Sequence, residues 1–450
     1  MTVDAGAPAH RTSAEVAARA AYVLRAHDQG ALTVAAPRLY PHMWSWDAAF
    51  IAIGLARLSP GRALAELETL FGAQWRTGMV PHIVFADTIH DYVPGPDRWR
   101  CQQVCTDAPR TRATSGLIQP PVHAIAVRRI LEATRYATPA ERRQVTLRIR
   151  LLWPRLLAWH RYLAEQRDPG SSGLVTIYHS WESGMDNSPR WDGPYAAVRP
   201  GPGLPPYRRA DLSALGESRQ RPSDAEYDRY LWLVEELRAA RYDDAAAART
   251  LSFRVGDVFM SAIFAAANEE LAAIGDELGL GATGELLEYA DRYRKGVVGT
   301  AGDDGFAADI DLRTEQAVPA PTIAGFAPLI CGGLDAPRQR ALVELLEGPQ
   351  WCGNPSLAFA VPPSTRPGAE GFDPGRYWRG PQWPPMNWLL AWGLERCGEP
   401  AAAARLRAAT SAQLADGLFA EYYEPFTGRP LGAQPQSWSA AVALDLLARP

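Results

Sequence analysis

The sequence is poor in the residues that would indicate a metal site or a highly charged partner. It has five cysteines, which cannot all pair, and Cys101 and Cys105 have no second pair of ligands nearby, so a zinc site is not expected. Reduced thiols in a cytoplasmic protein are the simplest interpretation. A net charge of −4 gives no electrostatic basis for binding nucleic acid or an anionic membrane.

Long apolar segments are also missing. No apolar run approaches the length of about 18 residues that indicates a transmembrane helix. The segment through Ala14 lacks a basic start followed by an apolar core, so no signal peptide is expected. The composition, 47% hydrophobic and 21% charged, is ordinary for a soluble globular protein with a sizeable core. A chain of 450 residues is then one large barrel or two or three domains.

What the sequence does contain is recurrent helical periodicity with few strand signals. About a dozen helices with no alternating strand between them exclude a doubly wound sheet. The predicted helices cover residues 14–27, 46–58, 62–75, 121–135, 139–166, 223–239, 255–277, 282–297, 321–332, 336–347, 382–397, 400–414 and 434–448. Two regions rich in proline, glycine, arginine and aromatic residues, 77–119 and 187–222, interrupt this pattern. Loops of such length are typical of lids or binding loops.

Two distant loops place carboxylates among aromatic residues. In the first, Trp181 to Asp192, the flanking tryptophans would desolvate a carboxyl and raise its pKa, and their faces suit stacking on sugar rings. The alternative is a surface loop with helix-capping acids and core tryptophans. The second loop, Phe419 to Gly428, repeats the pattern. Because glycoside hydrolysis needs two carboxyl groups on opposite sides of the anomeric carbon, the two loops together indicate sugar chemistry.

Three further segments have both a functional and a structural interpretation. Tyr40–Asp47 would frame a pocket, or else supply core tryptophans and a first-turn helix acid. Arg376–Trp388 would present aromatics to a ligand, or begin a helix at proline with tryptophans in the core. In Ser218–Tyr230, Ser223 and Glu226 predict a capping box. The arginines before it are solvated charges or a fork that holds a carboxylate.

Four segments spread along nearly the whole chain resemble glycoside hydrolase family 63, in particular its members that act on glucosylglycerate and mannosylglycerate. In matching order, they are His42–Asp47, Trp181–Asp192, Tyr377–Pro381 and Phe419–Pro425. The resemblance implies an all-α fold, an (α/α)6 barrel with a cap formed by inserted segments. The barrel would comprise 1–76, 120–186 and 223–450, and the cap 77–119 and 187–222. The implied reaction cleaves glucosylglycerate to glucose and glycerate with inversion, without a metal or cofactor. The expected partner is a glycoside with an anionic aglycone, not nucleic acid or a membrane, and a homo-oligomer is left open.

By the same resemblance, Asp186 is the general acid and Glu421 the general base, while Glu182, Asp192 and Glu424 are supporting or structural acids. Arg221, assisted by Tyr92, is expected to hold the glycerate carboxylate, and Arg219 is its competitor. The other expected substrate contacts are Tyr40, Trp44, Trp46, Asp47, Gln119, Trp181, Gly184, Tyr377, Trp378, Trp383 and Gln436. Gln382 replaces an expected aliphatic residue, and Gly201–Pro206 has no clear counterpart.

Other functions stay open from the sequence. A non-catalytic sugar-binding module would need the aromatic residues alone. An α/α-barrel epimerase would need histidine bases, and His179 is the histidine nearest the acidic loop in sequence. Within hydrolases, the alternatives are a mannosylglycerate hydrolase or another family 63 α-glucosidase or trehalase-like enzyme. The sequence does not separate glucosylglycerate from mannosylglycerate, because that choice depends on how the pocket meets one hydroxyl.

Overall fold

Helices make up most of the computed structural model, which describes residues 11–87, 92–209, 211–212 and 218–448. We number the helices of seven residues or more, together with one short turn that completes a ring. They are α1 Ser13–Ala26, α2 Ser45–Leu55, α3 Pro60–Gly72, α4 His123–Ala133, α5 Pro139–Gln166, α6 Asp224–Ala239, α7 Asp244–Thr250, α8 Val258–Leu278, α9 Thr283–Gly299, α10 Pro328–Cys331, α11 Ala336–Glu347, α12 Pro384–Arg396, α13 Pro400–Gln413 and α14 Ser437–Leu447. The parts of the predicted barrel and cap at 1–10, 88–91, 210, 213–217 and 449–450 lie outside the described residues.

Six of these helices form a closed inner ring. Around it, α2 packs on α4, α4 on α8, α8 on α10, α10 on α12, α12 on α14, and α14 on α2 again. An outer layer surrounds the ring, in which α1 packs on α14, α3 on α2, α5 on α3, α9 on α8, and α13 on α12. This is the predicted (α/α)6 barrel, so the predicted fold class is confirmed.

Helices α2 and α14 of the inner ring are apolar almost throughout because they have neighbours on every side. All residues of α2 are buried, and α14 is buried from Ser437 to Leu446. Gly54 of α2 lies so close to Ala441 of α14 that an added Cβ would come within 2.4 Å of the Ala441 Cα atom. Helix α8 is long and apolar enough to span a membrane, but 83% of its most apolar window is buried inside the protein. It is a core helix of the barrel.

Short strands occur where the local sequence pattern provided little signal for them. They are β1 Met43–Trp44, β2 Ile83–Val84, β3 Val175–Ile177, β4 Val255–Asp257, β5 Asp309–Asp311, β6 Gln316–Val318, β7 Tyr422–Tyr423 and β8 Pro430–Leu431. Strands β3 to β6 form one antiparallel sheet in that order. Residues 255–257, predicted as the start of a helix, therefore form β4. Strands of two or three residues are too short to show a period of two.

The predicted helix at 321–332 is interrupted. A 3-10 turn, Ile323–Phe326, precedes α10, which begins at Pro328. Proline has no backbone N–H to continue the hydrogen bonds of a preceding helix but is suited to the first turn of a new one, so the chain restarts at this point.

Helix α6 stands outside the two barrel layers and contacts the first inserted region. It packs on the one-turn helix Pro96–Trp99. Arg98 forms an ion pair with Glu235 at 2.7 Å, and the Tyr227 hydroxyl donates to the Val93 carbonyl. The capping box predicted from Ser223 and Glu226 starts this helix, since each side chain accepts the backbone N–H of the other residue. Helix α6, which directly follows the second inserted region, is thereby tied to the first.

A buried ionic cluster joins the loop after Asp186 to the sheet. Arg190, whose side chain is 1% exposed, contacts Asp309 at 2.6 Å and Asp257 at 3.0 Å. Asp257 also caps α8 by accepting the backbone N–H of Met260. The loop, the sheet and an inner helix of the barrel are therefore held at one point.

Replacing Arg190 with methionine should destabilise the fold by about 3–5 kcal/mol, because two buried carboxylates lose their cation. The matched control is Arg405→Met, which removes an exposed pair with Glu347 and should leave the stability almost unchanged. Scanning calorimetry of both variants compares their unfolding midpoints. Equal midpoints would show that the buried cluster does not hold this region.

Candidate active site

A cavity lies at the end of the barrel where the inner helices α2 and α14 begin. Asp47 in the first turn of α2 and Gln436, the N-cap of α14, face it. The residues predicted from sequence that line the cavity are Tyr40, Trp44, Trp46, Asp47, Tyr92, Gln119, Trp181, Gly184, Asp186, Arg221, Tyr377, Glu421 and Gln436. Segments separated by hundreds of residues thus converge on one site.

Trp378 and Trp383 are not among the lining residues. They stack on each other with ring centroids 3.7 Å apart, and Trp383 also stacks on Tyr422 at 4.5 Å. Trp378 approaches Trp46 of the lining at 6.3 Å. The two rings form a layer behind the wall, which supports the residues that face the cavity.

Several lining residues were not anticipated from the sequence. They are His82, Ile83, Pro94, Pro222, Tyr227, Tyr230 and Trp438. Tyr227 and Tyr230 are spaced i, i+3 directly after the capping box of α6, and this spacing put both on one helix face. Trp438 follows Gln436 at the start of α14. Nothing in the local sequence marked His82 or Pro94 as part of a site.

The loop that carries Asp186 turns at a glycine that no other residue replaces easily. Gly184 has φ +74°, and an added Cβ would lie 2.5 Å from the indole of Trp46. Just before it, the buried carboxylate of Glu182 pairs with both terminal nitrogens of Arg167, at 2.9 and 3.0 Å. It also accepts the backbone N–H groups of Ile118 and Tyr178. Glu182 therefore anchors the loop and faces away from the cavity.

The Asp186 carboxyl faces the cavity and has no hydrogen-bond partner on another of the described residues. Burial raises the pKa of Asp186 from its ordinary value of 3.8 to about 7, the positive charge of Arg221 opposes this rise, and the negative charge of Glu421 adds to it. A large fraction of Asp186 is then protonated near neutral pH. A neutral carboxyl aimed into an aromatic cavity has the properties of a general acid.

Both oxygens of Glu421 are fixed. The Tyr40 hydroxyl donates to Oε1 at 2.7 Å, and the Ala433 backbone N–H donates to Oε2 at 2.9 Å. Gly432 leaves room for this carboxylate, because an added Cβ would lie 2.4 Å from Oε2. Burial raises the pKa of Glu421, while Arg221 and these two donors oppose the rise by favouring the ionised form. Donors directed at an ionised carboxylate suit a general base.

Asp47 is a third carboxyl in the same cavity. Gln436 donates to its Oδ1 over 3.4 Å. Burial raises the pKa of Asp47 to about 7, the Gln436 contact opposes the rise, and the charges of Glu421 and Asp186 add to it. The three carboxyls therefore influence one another, and protonation of one favours ionisation of the others.

Arg221 is the one permanent cation among the described residues that line the cavity. Its Nε donates to Asp211 at 3.2 Å, its Nη1 donates to the Tyr40 hydroxyl at 3.1 Å, and its guanidinium lies 4.4 Å from the centre of the Tyr377 ring. The Arg219 side chain is 84% exposed and reaches Asp373 at 3.5 Å. Of the two arginines weighed from sequence, Arg221 enters the cavity and Arg219 does not.

The remaining predicted polar residues have structural partners. Asp192 pairs with Arg379, and Glu424 accepts the backbone N–H of Thr427. Gln382 is fully buried and donates to the carbonyls of Phe359 and Val361, so it points away from the cavity.

His179 is engaged at both ring nitrogens. Nε2 bonds the Tyr230 carbonyl, and Nδ1 accepts the Trp181 N–H. Burial lowers the pKa of His179 to about 3. A histidine in these contacts is unsuited to serve as the base of an epimerase. Across the described ranges, no group of three or more His, Cys, Asp or Glu residues could hold a metal ion.

Comparison with known proteins agrees with this chemistry. Residues 40–439 match the family described as the mannosylglycerate hydrolase MGH1-like glycoside hydrolase domain. The glucosylglycerate hydrolase of Mycolicibacterium hassiacum is 53% identical over 439 residues, which cover 97% of this chain and 98% of that protein. A mannosylglycerate hydrolase of Thermus thermophilus is 41% identical over 95% of this chain and 99% of that protein.

A solved structure gives the same result. A family 63 mannosylglycerate hydrolase from a second strain of Thermus thermophilus, crystallised with Tris and D-glycerate, has a TM-score of 0.86 and 40% identity, and the match covers 96% of this chain and 99% of that chain. The resemblance to family 63 and the predicted hydrolase activity are thereby confirmed. The chain belongs to the MGH1-like glycoside hydrolases and is an enzyme that hydrolyses a glycosidic bond.

Proposed function

We propose that this enzyme hydrolyses glucosylglycerate to glucose and glycerate, with inversion at the anomeric carbon. The observation that carries the proposal is the joint presence of Asp186, Glu421 and Arg221 in one aromatic cavity. Two carboxyl groups supply the acid and the base, and the cation suits an anionic aglycone. Identity of 53% to a glucosylglycerate hydrolase, against 41% to a mannosylglycerate hydrolase, supports the glucosyl substrate. Mannosylglycerate is the second candidate.

The reaction follows from the protonation states of the two carboxyls. Protonated Asp186 donates its proton to the glycosidic oxygen as the bond from that oxygen to the anomeric carbon breaks. Ionised Glu421 takes a proton from a water molecule, whose oxygen attacks the anomeric carbon from the opposite face. Glycerate leaves with the acid's proton, and glucose leaves with the hydroxyl from water. A proton must then pass from Glu421 to Asp186, through solvent, before the next cycle.

We assign the glycerate carboxylate to Arg221, with Tyr92 beside it. Arg221 uses Nε and Nη1 for Asp211 and Tyr40, and its Nη2 has no hydrogen-bond partner among the described residues. A small, charged aglycone has little apolar surface, so a charge-assisted contact at this position would supply a large part of the enzyme's selectivity for it. Stacking on Tyr377 holds the guanidinium plane in place for that contact.

We further propose that residues 77–119 and 187–222 form a cap over the cavity, and we add helix α6 to it. Tyr92 and Arg221 reach the cavity from the two segments, and α6 contributes Tyr227 and Tyr230. A cap of this kind would exclude water other than the nucleophile when substrate binds.

The function is tested by incubating the enzyme with glucosylglycerate, mannosylglycerate and trehalose. The value of kcat/KM should be highest for glucosylglycerate, and proton NMR should detect β-glucose first from the α-linked substrate. Faster turnover of mannosylglycerate would transfer the assignment to the second candidate. Release of α-glucose first would contradict inversion.

Asp186→Asn and Glu421→Gln should each abolish turnover and leave substrate binding nearly unchanged. Each amide keeps the shape of the side chain but cannot donate or take up the proton. The matched control is Glu424→Gln, three residues from Glu421 and outside the cavity lining, which should retain most activity. Single-turnover rates and equilibrium binding of glucosylglycerate measure the two effects separately. Substantial activity in either of the first two variants would refute that residue's role.

Arg221→Ala should lower kcat/KM for glucosylglycerate by about 2–4 kcal/mol of transition-state binding, since the substrate charge is left desolvated and unpaired. The loss should be far smaller for α-glucosylglycerol, which carries neutral glycerol in place of glycerate. Arg221→Lys should recover little, because an ammonium cannot reproduce the planar fork. Arg219→Ala is the control. Equal losses on both substrates in Arg221→Ala would exclude Arg221 as the carboxylate contact.

A further inference from the structure

A continuous hydrogen-bonded chain joins the aglycone cation to the general base. Arg221 Nη1 is 3.1 Å from the Tyr40 hydroxyl oxygen, and that oxygen is 2.7 Å from Glu421 Oε1. The Tyr377 hydroxyl lies 3.2 Å from the same oxygen. Tyr40 therefore contacts Arg221, Tyr377 and Glu421 together, and Tyr377 also hydrogen-bonds Glu421 while its ring lies against Arg221.

The direction of each bond is fixed by chemistry. Burial raises the pKa of Tyr40 well above its ordinary value, so its hydroxyl keeps its proton. An ionised carboxylate is an acceptor alone and a guanidinium is a donor alone. The single Tyr40 hydrogen therefore goes to Glu421, and Arg221 donates to the Tyr40 oxygen. Donation by Arg221 polarises the Tyr40 O–H bond and strengthens its bond to Glu421.

The charges that face Glu421 come from several elements. Three carboxyls share the cavity, and Arg221 is the cation set against them, with Asp211 on its far side. The groups that act on Glu421 are Arg221, Tyr40, Tyr377, Asp47 and Asp186. Asp186 also interacts with Tyr92, Tyr195, Tyr227 and Tyr230, and Asp211 acts on Arg221. Arg221 lowers the pKa of both Glu421 and Asp186 and is, after burial, the largest influence on each.

We propose that Tyr40 is a positioning residue that couples the aglycone subsite at Arg221 to Glu421, so that an anionic aglycone makes the general base more basic. This rests on the proposed function, because it needs a substrate carboxylate at Arg221. A bound carboxylate neutralises the cation that favours ionised Glu421, and Glu421 then binds the proton of water more strongly. The same neutralisation keeps Asp186 protonated. The charge of the correct substrate therefore prepares both catalytic groups.

The sign of the pH effect follows directly. An anion at Arg221 raises the pKa of Glu421 and of Asp186 together. Activity requires Glu421 ionised and Asp186 protonated, so both limbs of the pH profile move to higher pH. A glucoside with a neutral aglycone leaves the Arg221 charge in place, so both limbs of the pH profile measured with that substrate stay at lower pH. The substrate carboxylate itself titrates at about pH 3.5, below the pH range of both limbs.

The first test compares the pH profiles of kcat for glucosylglycerate and α-glucosylglycerol on the unmodified enzyme. Both limbs should lie at higher pH for glucosylglycerate. Coincident limbs would overturn the coupling and leave the proposed function intact. Failure to hydrolyse glucosylglycerate at any pH would overturn the proposed function, and the coupling with it.

A binding measurement tests the coupling without turnover. Titration calorimetry of D-glycerate in two buffers of different ionisation enthalpy gives the number of protons exchanged. Near the acid limb, D-glycerate should bind with net proton uptake, and glycerol should not cause uptake. Binding of D-glycerate without proton uptake would overturn the proposal even if α-glucosylglycerol were a poor substrate.

The third test addresses Tyr40 itself. Tyr40→Phe removes the donor to Glu421, so the acid limb of kcat should move to higher pH, and the loss of rate should be largest at low pH. A residue that served packing alone would scale the whole profile down without moving its limb. The control is Tyr136→Phe, at a tyrosine that is 91% exposed, and it should change neither the position of the acid limb nor the rate. An unmoved acid limb in Tyr40→Phe would refute the coupling.

Discussion

The rest of this structure depends on three carboxyl groups that are buried around one arginine. Withdrawing Asp47, Asp186 and Glu421 from water favours their neutral forms, and their mutual repulsion adds to that preference. Hydrolysis by inversion needs one of them neutral and another ionised at the same pH. The hydrogen-bond donors on Glu421 provide that asymmetry, because the Arg221 charge lowers the pKa of both Glu421 and Asp186. Without these donors and the Arg221 charge, burial and mutual repulsion would raise the pKa of Glu421 and Asp186 further, and nothing would favour the ionised form of Glu421 in particular.

Such an arrangement is costly to hold in place, and the barrel supplies the rigidity. Asp186 stands between two anchors, the Glu182–Arg167 pair before it and the Arg190 cluster with Asp257 and Asp309 after it. Both anchors are fully buried, where loss of one partner leaves an uncompensated charge. These acids and arginines are not among the residues that line the cavity. They fix a loop, which otherwise has little regular structure, to the sheet and to the start of an inner helix.

The sequence was sufficient for the helices of the barrel, because long amphipathic or apolar periods are strong signals. It was insufficient for β3 to β6, whose strands have three residues each, and for the break before Pro328. The catalytic loops were recognisable because acids and tryptophans are adjacent in sequence there. Tyr227, Tyr230 and His82 were not recognised, since what brings them to the cavity is tertiary packing of α6 and of the first inserted region. The local sequence does not distinguish Arg219 from Arg221, and the preference for Arg221 came from the family resemblance. In the structure, burial of Arg221 and exposure of Arg219 distinguish them.

The inner ring closes between its first and its last member, where Gly54 of α2 meets Ala441 of α14. Asp47 lies at the start of one of these helices, and Gln436 caps the other. During synthesis on a ribosome, the apolar faces of α2 and of the other early helices of the ring therefore stay partly uncovered until the residues of α14 have been made. A chain released before that point would have an open barrel, an incomplete site and exposed core surface, which makes it a substrate for chaperones or proteases. Activity therefore requires a chain that extends through α14.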